Sequence, residues 1–394
     1  MPNLFGRLSR VFIFAVEHRS SIFFLPRYPM LRIPKLVLLF CLLSLSADKA
    51  FSANPDNRKI TEIVFCIDMS GSTSGVFESF KKAYWKMISS VQGQMSTQHI
   101  CVGLVGFSRE SFKQDSNFVK VFVNPTENYE EVFLEFCKIK TYMPGGSQHL
   151  GALVDAAVNR VTWSKRKGAQ RVIIVIGNGD VNIGPVKLKA AIRSAKRKGF
   201  VIQPVFLKSN IYKKEIKDWE SFAAMSGESL YFVNMLDSTV IDNKKVDDLR
   251  VANSDFNQKI IYYGKTGRKT FDEINNSDLQ TPADGLYERL KYKMFELKNE
   301  NAHDWELVEY YNTSEFELIN IARETLPVQY TTVVADSMIQ ILKLSTTSKK
   351  TDYSNFQTEI EKIKPPPIDF APADDKSMRF DAALQLIFRN AVNR

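Results

Sequence analysis

The pattern that organises this chain begins at Ile60, where short apolar runs start to alternate with stretches of helical periodicity. Residues 60–67 are an apolar run of strand length. In residues 76–92 the apolar positions Val76, Phe80, Ala83, Tyr84, Met87 and Val91 recur as the stripe of an amphipathic helix. Residues 100–107 and 119–123 predict two more strands, the second stopped by Asn124 and Pro125. Residues 129–137 read as a helix, and Leu150, Leu153, Val154, Ala157 and Val161 mark another. Residues 171–176 are a continuous β-branched run, as in a strand buried on both faces. Leu188, Ala191, Ile192 and Ala195 line one face of a further helix, and strands are expected at 201–207 and 230–233. This alternation predicts the α/β class: a doubly wound, mostly parallel sheet with helices on both sides. Ligands of such sheets bind beyond the carboxyl ends of the strands, so the residues that follow strand ends are the ones to read for chemistry.

The alternation ends near Met235, which gives an α/β domain over residues 59–235. Residues 236–364 read as a mixed, α-rich region. Within it residues 259–263 and 328–334 have strand character, residues 305–321 read as helical, and Leu286, Leu290, Met294 and Leu297 form a helical stripe. Residues 365–394 begin with prolines that make a stiff linker and end in a helix whose apolar face is Phe380, Ala383, Leu384 and Ile387. Upstream, residues 36–47 carry no charge, follow Arg32 and Lys35, and precede the small residues Ala47, Ala50, Ser52 and Ala53. That is the order of a secretory signal. Its twelve residues rise only ~18 Å as a helix, short of the ~30 Å of a bilayer core. Residues 1–53 are therefore read as an N-terminal extension and cleavable signal peptide, with Met30 as the start of the precursor. N-terminal sequencing that found residues ahead of Met30 would contradict that start. Export would place the product in a periplasm or outside the cell.

Candidate chemistry sits where the topology asks for it. Asp68, Ser70 and Ser72 alternate just after the first strand, and Gly71 permits the tight turn between the serines. One carboxylate and two hydroxyls are hard oxygen donors, suited to Mg²⁺ or Ca²⁺ rather than zinc. Alone the triplet is weak, because Ser72 or Ser74 could simply cap the helix that follows. Two further loops strengthen it: Gly145-Gly146-Ser147 ahead of one helix, and Gly177-Asn178-Gly179 at the end of the β-branched strand. With these three elements in order, the region resembles the von Willebrand factor A family. The resemblance implies a metal-ion-dependent adhesion site formed by Asp68, Ser70, Ser72, Ser147 and Asn178. It also implies a bound cation with one open position, completed by a carboxylate of a protein partner without bond breaking.

Two departures from the family pattern bear on that expectation. Ser147 stands where the family has threonine, and Asn178 where it has aspartate. Asparagine offers a carbonyl oxygen without charge, so the site has one formal negative charge where the pattern has two. Asp180 is an auxiliary candidate that would restore the charge if its loop turned inward. The alternative is a degenerate site on a metal-independent envelope scaffold or assembly factor.

An enzyme is not expected. The chain has no Gly-x-Ser-x-Gly elbow, no His-Glu-x-x-His and no phosphate-cradling loop, and His149 beside Ser147 reads as a polar residue opening a helix. No pair of its 4 histidines has zinc-ligand spacing. Cys66, Cys101 and Cys137 are expected as buried unpaired thiols rather than a disulfide framework. The net charge of +9 admits weak contact with an anionic membrane surface, and no nucleic acid is expected as a partner. Residues 165–167 and 196–198, all Lys or Arg, precede two strands at the edge opposite the proposed metal. They read first as solvated charges that also suit a helix end.

Overall fold

The expected alternation becomes a seven-stranded sheet in the computed structural model, which describes residues 58–113, 116–140, 145–208, 215–234, 242–370 and 377–394. The strands are β1 (Lys59–Asp68), β2 (Gln98–Phe107), β3 (Val119–Thr126), β4 (Gln170–Gly177), β5 (Phe200–Leu207), β6 (Tyr231–Asn234) and β7 (Ser377–Arg379). Their order is β3-β2-β1-β4-β5-β6-β7. Only β2 and β3 pair antiparallel; the other neighbours are parallel. The expected targeting segment, residues 1–53, lies outside the described residues. Among the described residues no helix is long and apolar enough to cross a membrane.

Successive side chains of a strand point to opposite faces, and β1 shows what that does here. Ile63, Phe65 and Ile67 enter one apolar cluster, while Val64 and Cys66 enter the other. β4 divides the same way, with Val172, Ile174 and Ile176 on one side and Ile173 and Val175 on the other. Each fully buried Val, Ile, Leu or Phe contributes roughly 1.5–3 kcal/mol, which is why these strands read as unbroken apolar runs. The first face is covered by α1 (Gly75–Ser89) and α2 (Tyr129–Cys137). The second is covered by α3 (Leu150–Asn159), α4 (Leu188–Arg197) and α5 (Ile216–Ser226). Cys66, Cys101 and Cys137 are free thiols, the first buried and the other two partly exposed.

The second half of the chain is helical: α6 (Asn243–Asn257), α7 (Gly264–Gln280), α8 (Ala283–Glu296), α9 (Leu307–Tyr311), α10 (Ala335–Glu361) and α11 (Phe380–Val392). α8 lies on α1, with Tyr292 stacked on Trp85 at 5.4 Å between ring centroids. Three local expectations give way. Residues 259–263 form no strand beyond one bridge, Tyr262 to Glu306. The helix expected over 305–321 is confined to α9 and short 3₁₀ turns. Residues 328–330 are a 3₁₀ turn leading to α10, whose 27 residues bury only Met338, Leu342, Phe356 and Ile360. So sparse an apolar stripe gives little periodic signal.

The last element is not a separate tail. β7 adds to the sheet beside β6, and α11 closes the first face, stacking Phe388 on Phe65 at 6.2 Å. Buried Lys86 of α1 holds Asp381 of α11 at 2.9 Å. Residues 377–394 thus complete the core of the α/β domain from the far end of the chain.

Candidate metal and partner site

Asp68 ends β1 between β2 and β4, and the chain must turn there. Ser70 donates its backbone N–H to Asp68 Oδ1 at 2.9 Å. Thr73, fully buried, donates its hydroxyl to the Asp68 carbonyl at 2.8 Å. A 3₁₀ turn over Gly71–Thr73 follows. The hydroxyls of Ser70 and Ser72 lie 3.0 Å apart, and Ser72 donates to Asn178 Oδ1 at 3.4 Å. Capping does not account for these serines: Ser74 precedes α1 with no side-chain capping bond, and Ser72 faces Asn178 instead. The adjacent end of β4 must be bare to admit the carboxylate. A Cβ on Gly177 would lie 3.0 Å from Asp68 Cβ and 3.3 Å from Asp68 Oδ2. Trp219 anchors the loop beyond it, donating its indole N–H to the Gly179 carbonyl at 2.9 Å.

Four of the expected site residues, Asp68, Ser70, Ser72 and Asn178, therefore stand together at the carboxyl edge. Ser147 and Asp180 do not hydrogen-bond to these four among the described residues. Ser147 is exposed and forms no hydrogen bond among the described residues. Its neighbour Gln148 reaches in, donating Nε2–H to Asp68 Oδ2 at 2.7 Å. The Gln148 amide packs so closely on Gly179, at φ +88, that a Cβ there would collide with it. Asp180 is exposed and accepts the backbone N–H of Asn182 at 2.7 Å within its own loop. His149 forms no hydrogen bond with Ser147; its ring meets Phe118 edge-on at 5.4 Å, and its Nδ1 is buried without a partner. Burial lowers its pKa. Sequence reasoning missed Gln148, Thr73 and Ser108, whose buried hydroxyl lies near Asp68 and helps to hold its pKa down.

Electrostatically the site is a buried acid short of positive charge. Burial pushes the Asp68 carboxyl up to about 6, against the pull of the Ser70 and Asn178 backbone N–H groups. No Lys, Arg or His hydrogen-bonds it among the described residues. Asn178 is buried too, and its Nδ2 has no partner. The set offers one carboxylate, two hydroxyls and one amide carbonyl, all oxygen, within hydrogen-bonding distance of one another. Such donors fit a hard divalent cation, and a cation would relieve the desolvated charge on Asp68. Gln148 presents an N–H to the same carboxylate, and rotation of its amide would present Oε1 in its place. Among the described residues no three His, Cys, Asp or Glu side chains gather as a metal site elsewhere.

With this geometry in view, the relationships to known proteins can be stated. A search of curated proteins gives no match. Solved structures with similar architecture include an aerotolerance-related membrane protein from Bacteroides fragilis, 17% identical, covering 44% of this chain and 90% of that one, with a TM-score of 0.31. The pilus adhesin SpaC from Lactobacillus rhamnosus GG is 14% identical, covers 46% of this chain and 28% of its own, and has a TM-score of 0.35. The VWA domain of SpRpn10 is 14% identical over 46% of this chain and 90% of that domain, with a TM-score of 0.34. The family model described as the von Willebrand factor type A domain matches residues 62–243, the region whose sheet carries the Asp68 cluster at its carboxyl edge.

Proposed function

We propose that this is an exported binding protein whose A-type domain recognises a protein partner at the carboxyl edge of its sheet, through Mg²⁺ or Ca²⁺. The observation that carries the reading is Asp68, a buried carboxyl that no cationic side chain among the described residues bonds, set among the oxygens of Ser70, Ser72 and Asn178. Asp68, Ser70, Ser72 and Asn178 would hold the ion. A bound divalent cation supplies an open coordination position to which a partner's carboxylate is drawn. Thr73 and the Ser70 N–H keep the turn in shape, and Gly177 leaves room for the Asp68 side chain. The neutral hydroxyl and amide oxygens leave most of the ion's charge available to the partner, and low local screening strengthens that attraction. The proposed role is recognition, a contact made without bond breaking.

A second reading, a metal-independent scaffold or assembly factor at the cell envelope, has one observation in its favour: Gln148 already gives Asp68 a hydrogen bond from the protein itself. Calorimetry separates the two. The first reading expects heat and a thermal shift with millimolar Mg²⁺ or Ca²⁺, both lost in Asp68→Ala, and partner capture that EDTA abolishes. Absence of heat and shift, or capture indifferent to EDTA and to Asp68→Ala, leaves the scaffold.

A further inference from the structure

The positive charge of this chain is concentrated in one segment. Residues 160–198 hold eleven Lys and Arg against a single acid, Asp180, a net of +10, while the whole chain carries +9. Everything else is balanced to within one charge.

The fold gathers this segment on one side of the sheet. β4 and β5 are adjacent and parallel, with Arg171 opposite Phe200. The loop that leads into β4, carrying Lys165 and Lys167, and the end of α4 with Lys198, which leads into β5, therefore lie on the same edge. Trp163 packs edge-on against Phe200 at 5.0 Å, and Lys198 Nζ donates to Asn159 Oδ1 at 2.7 Å. The outer face of α4 continues the patch. Lys189, Arg193, Lys196 and Arg197 recur at helical spacing and are exposed, while Leu188, Ala191, Ile192 and Ala195 are buried beneath them. Lys165, Lys167, Lys189, Arg193, Lys196 and Arg197 form no salt bridge among the described residues. The flanking helices oppose them weakly: α3 carries Asp155, and α5 carries Asp218 and Glu220 beside Lys217.

Stability does not account for this. Lys196 and Arg197 suit the negative end of the α4 dipole. Lys189 stands in the first turn of the same helix, where a cation is unfavourable and no acid offsets it. Arg193, mid-helix, gains nothing from either end.

We propose that this edge, with the outer face of α4, docks on an anionic membrane surface. A basic face along a helix reads as a contact for a membrane surface, and α4 carries its basic residues from Lys189 to Arg197 on the side turned to solvent. The patch also has no exposed aromatic ring on which nucleobases could stack. Docked in this way, the domain turns the opposite edge, with Asp68, away from the lipid.

Sedimentation of the full chain with phosphatidylcholine vesicles, with and without phosphatidylglycerol, tests the proposal. The readout is the ratio of partitioning onto anionic over neutral vesicles, which cancels any contribution of the uncharged run. The ratio should be well above one at low salt and collapse at high salt. Each Lys or Arg near an anionic surface adds about fivefold in affinity, so K189E/R193E/R197E should lower the ratio by about 100-fold or more. Lys165→Glu with Lys167→Glu, in a loop outside the helix, should lower it independently if the triple variant melts early. Asp68→Ala should leave it unchanged, which keeps this test separate from that of the cation site. A wild-type ratio near one, a ratio retained in both charge-reversed variants, or binding to duplex DNA or heparin without binding to vesicles would overturn the proposal.

Discussion

Two aspartates buried to the same depth behave in opposite ways. Asp68 is 1% exposed and Asp278 is 2% exposed. Burial works against ionisation of both. Asp278, on α7, receives Arg289 Nε at 2.7 Å and Lys293 Nζ at 2.8 Å from α8, with Asn253 at 3.0 Å. Burial raises its pKa, but Lys293 and Arg289 outweigh burial and hold it below the usual range. Arg289 also bonds Glu130 of α2 and lies over Trp85 at 4.3 Å, so the network ties the helical half to the sheet domain. Among the described residues Asp68 is bonded only by N–H and O–H dipoles, and it rises to about 6. At equal burial, what differs is whether the fold brings its own cation. Asp278 has its partners inside the chain, which is how a structural acid is built. Asp68 has none among the described residues, as a site made for an outside cation would.

That contrast breaks first at Asp278. Asp278→Asn leaves Arg289 and Lys293 buried without their shared carboxylate, and removing one member of a buried ionic network costs about 3–5 kcal/mol. Urea unfolding should show that loss, and a loss below about 1 kcal/mol would remove the network from the account. Asp68→Asn should go the other way in the metal-free protein. The folded carboxyl titrates at about 6 and the unfolded one near ~3.9, so the unfolded chain ionises first. The associated stability is fully present below about pH 4 and is lost as pH rises to about 6, some 3 kcal/mol in all. Asparagine does not ionise, so the variant should be more stable near pH 7 by up to about 3 kcal/mol and no different near pH 3. A difference that stays constant with pH would mean that Asp68 is not the strained acid described here.

The same contrast explains what could be read in the sequence. The sheet was legible because β1, β4 and β5 are buried on both faces and leave no polar interruption. Asp68, Ser70, Ser72 and Asn178 were legible because topology puts strand ends at one edge. The hydrogen bond from Gln148 to Asp68 was not. Residues 145–149 are irregular backbone with no periodicity to say which side chain points in, and Ser147 has the more suggestive hydroxyl. The Asp278 network was equally hidden: α6 and α7 are rich in polar residues, some of which face inward and find partners there, so their stripes look broken. α10 escaped notice for a related reason, burying four side chains in 27 residues. The placement of β7 and α11 in the sheet domain is a long-range pairing that no local pattern encodes.

Asn178 offers the finest test because one substitution moves two quantities in opposite directions. Its Nδ2 is buried without a partner and its Oδ1 takes the Ser72 hydroxyl. Asn178→Asp removes the orphaned donor but sets a second carboxylate beside Asp68, which no Lys or Arg among the described residues bonds. Without metal the two acids disfavour each other's ionisation, so the variant should lose about 1 kcal/mol near pH 7 and recover it as pH falls. With Mg²⁺ the added charge should tighten binding about tenfold, or ~1.4 kcal/mol. Thermal melts with and without Mg²⁺ read both effects, and the ion should turn the less stable variant into the more strongly stabilised one. A variant that melts early and gains nothing from Mg²⁺ would mean that the Asp68 cluster is held by Gln148 alone, and the scaffold reading would then take precedence.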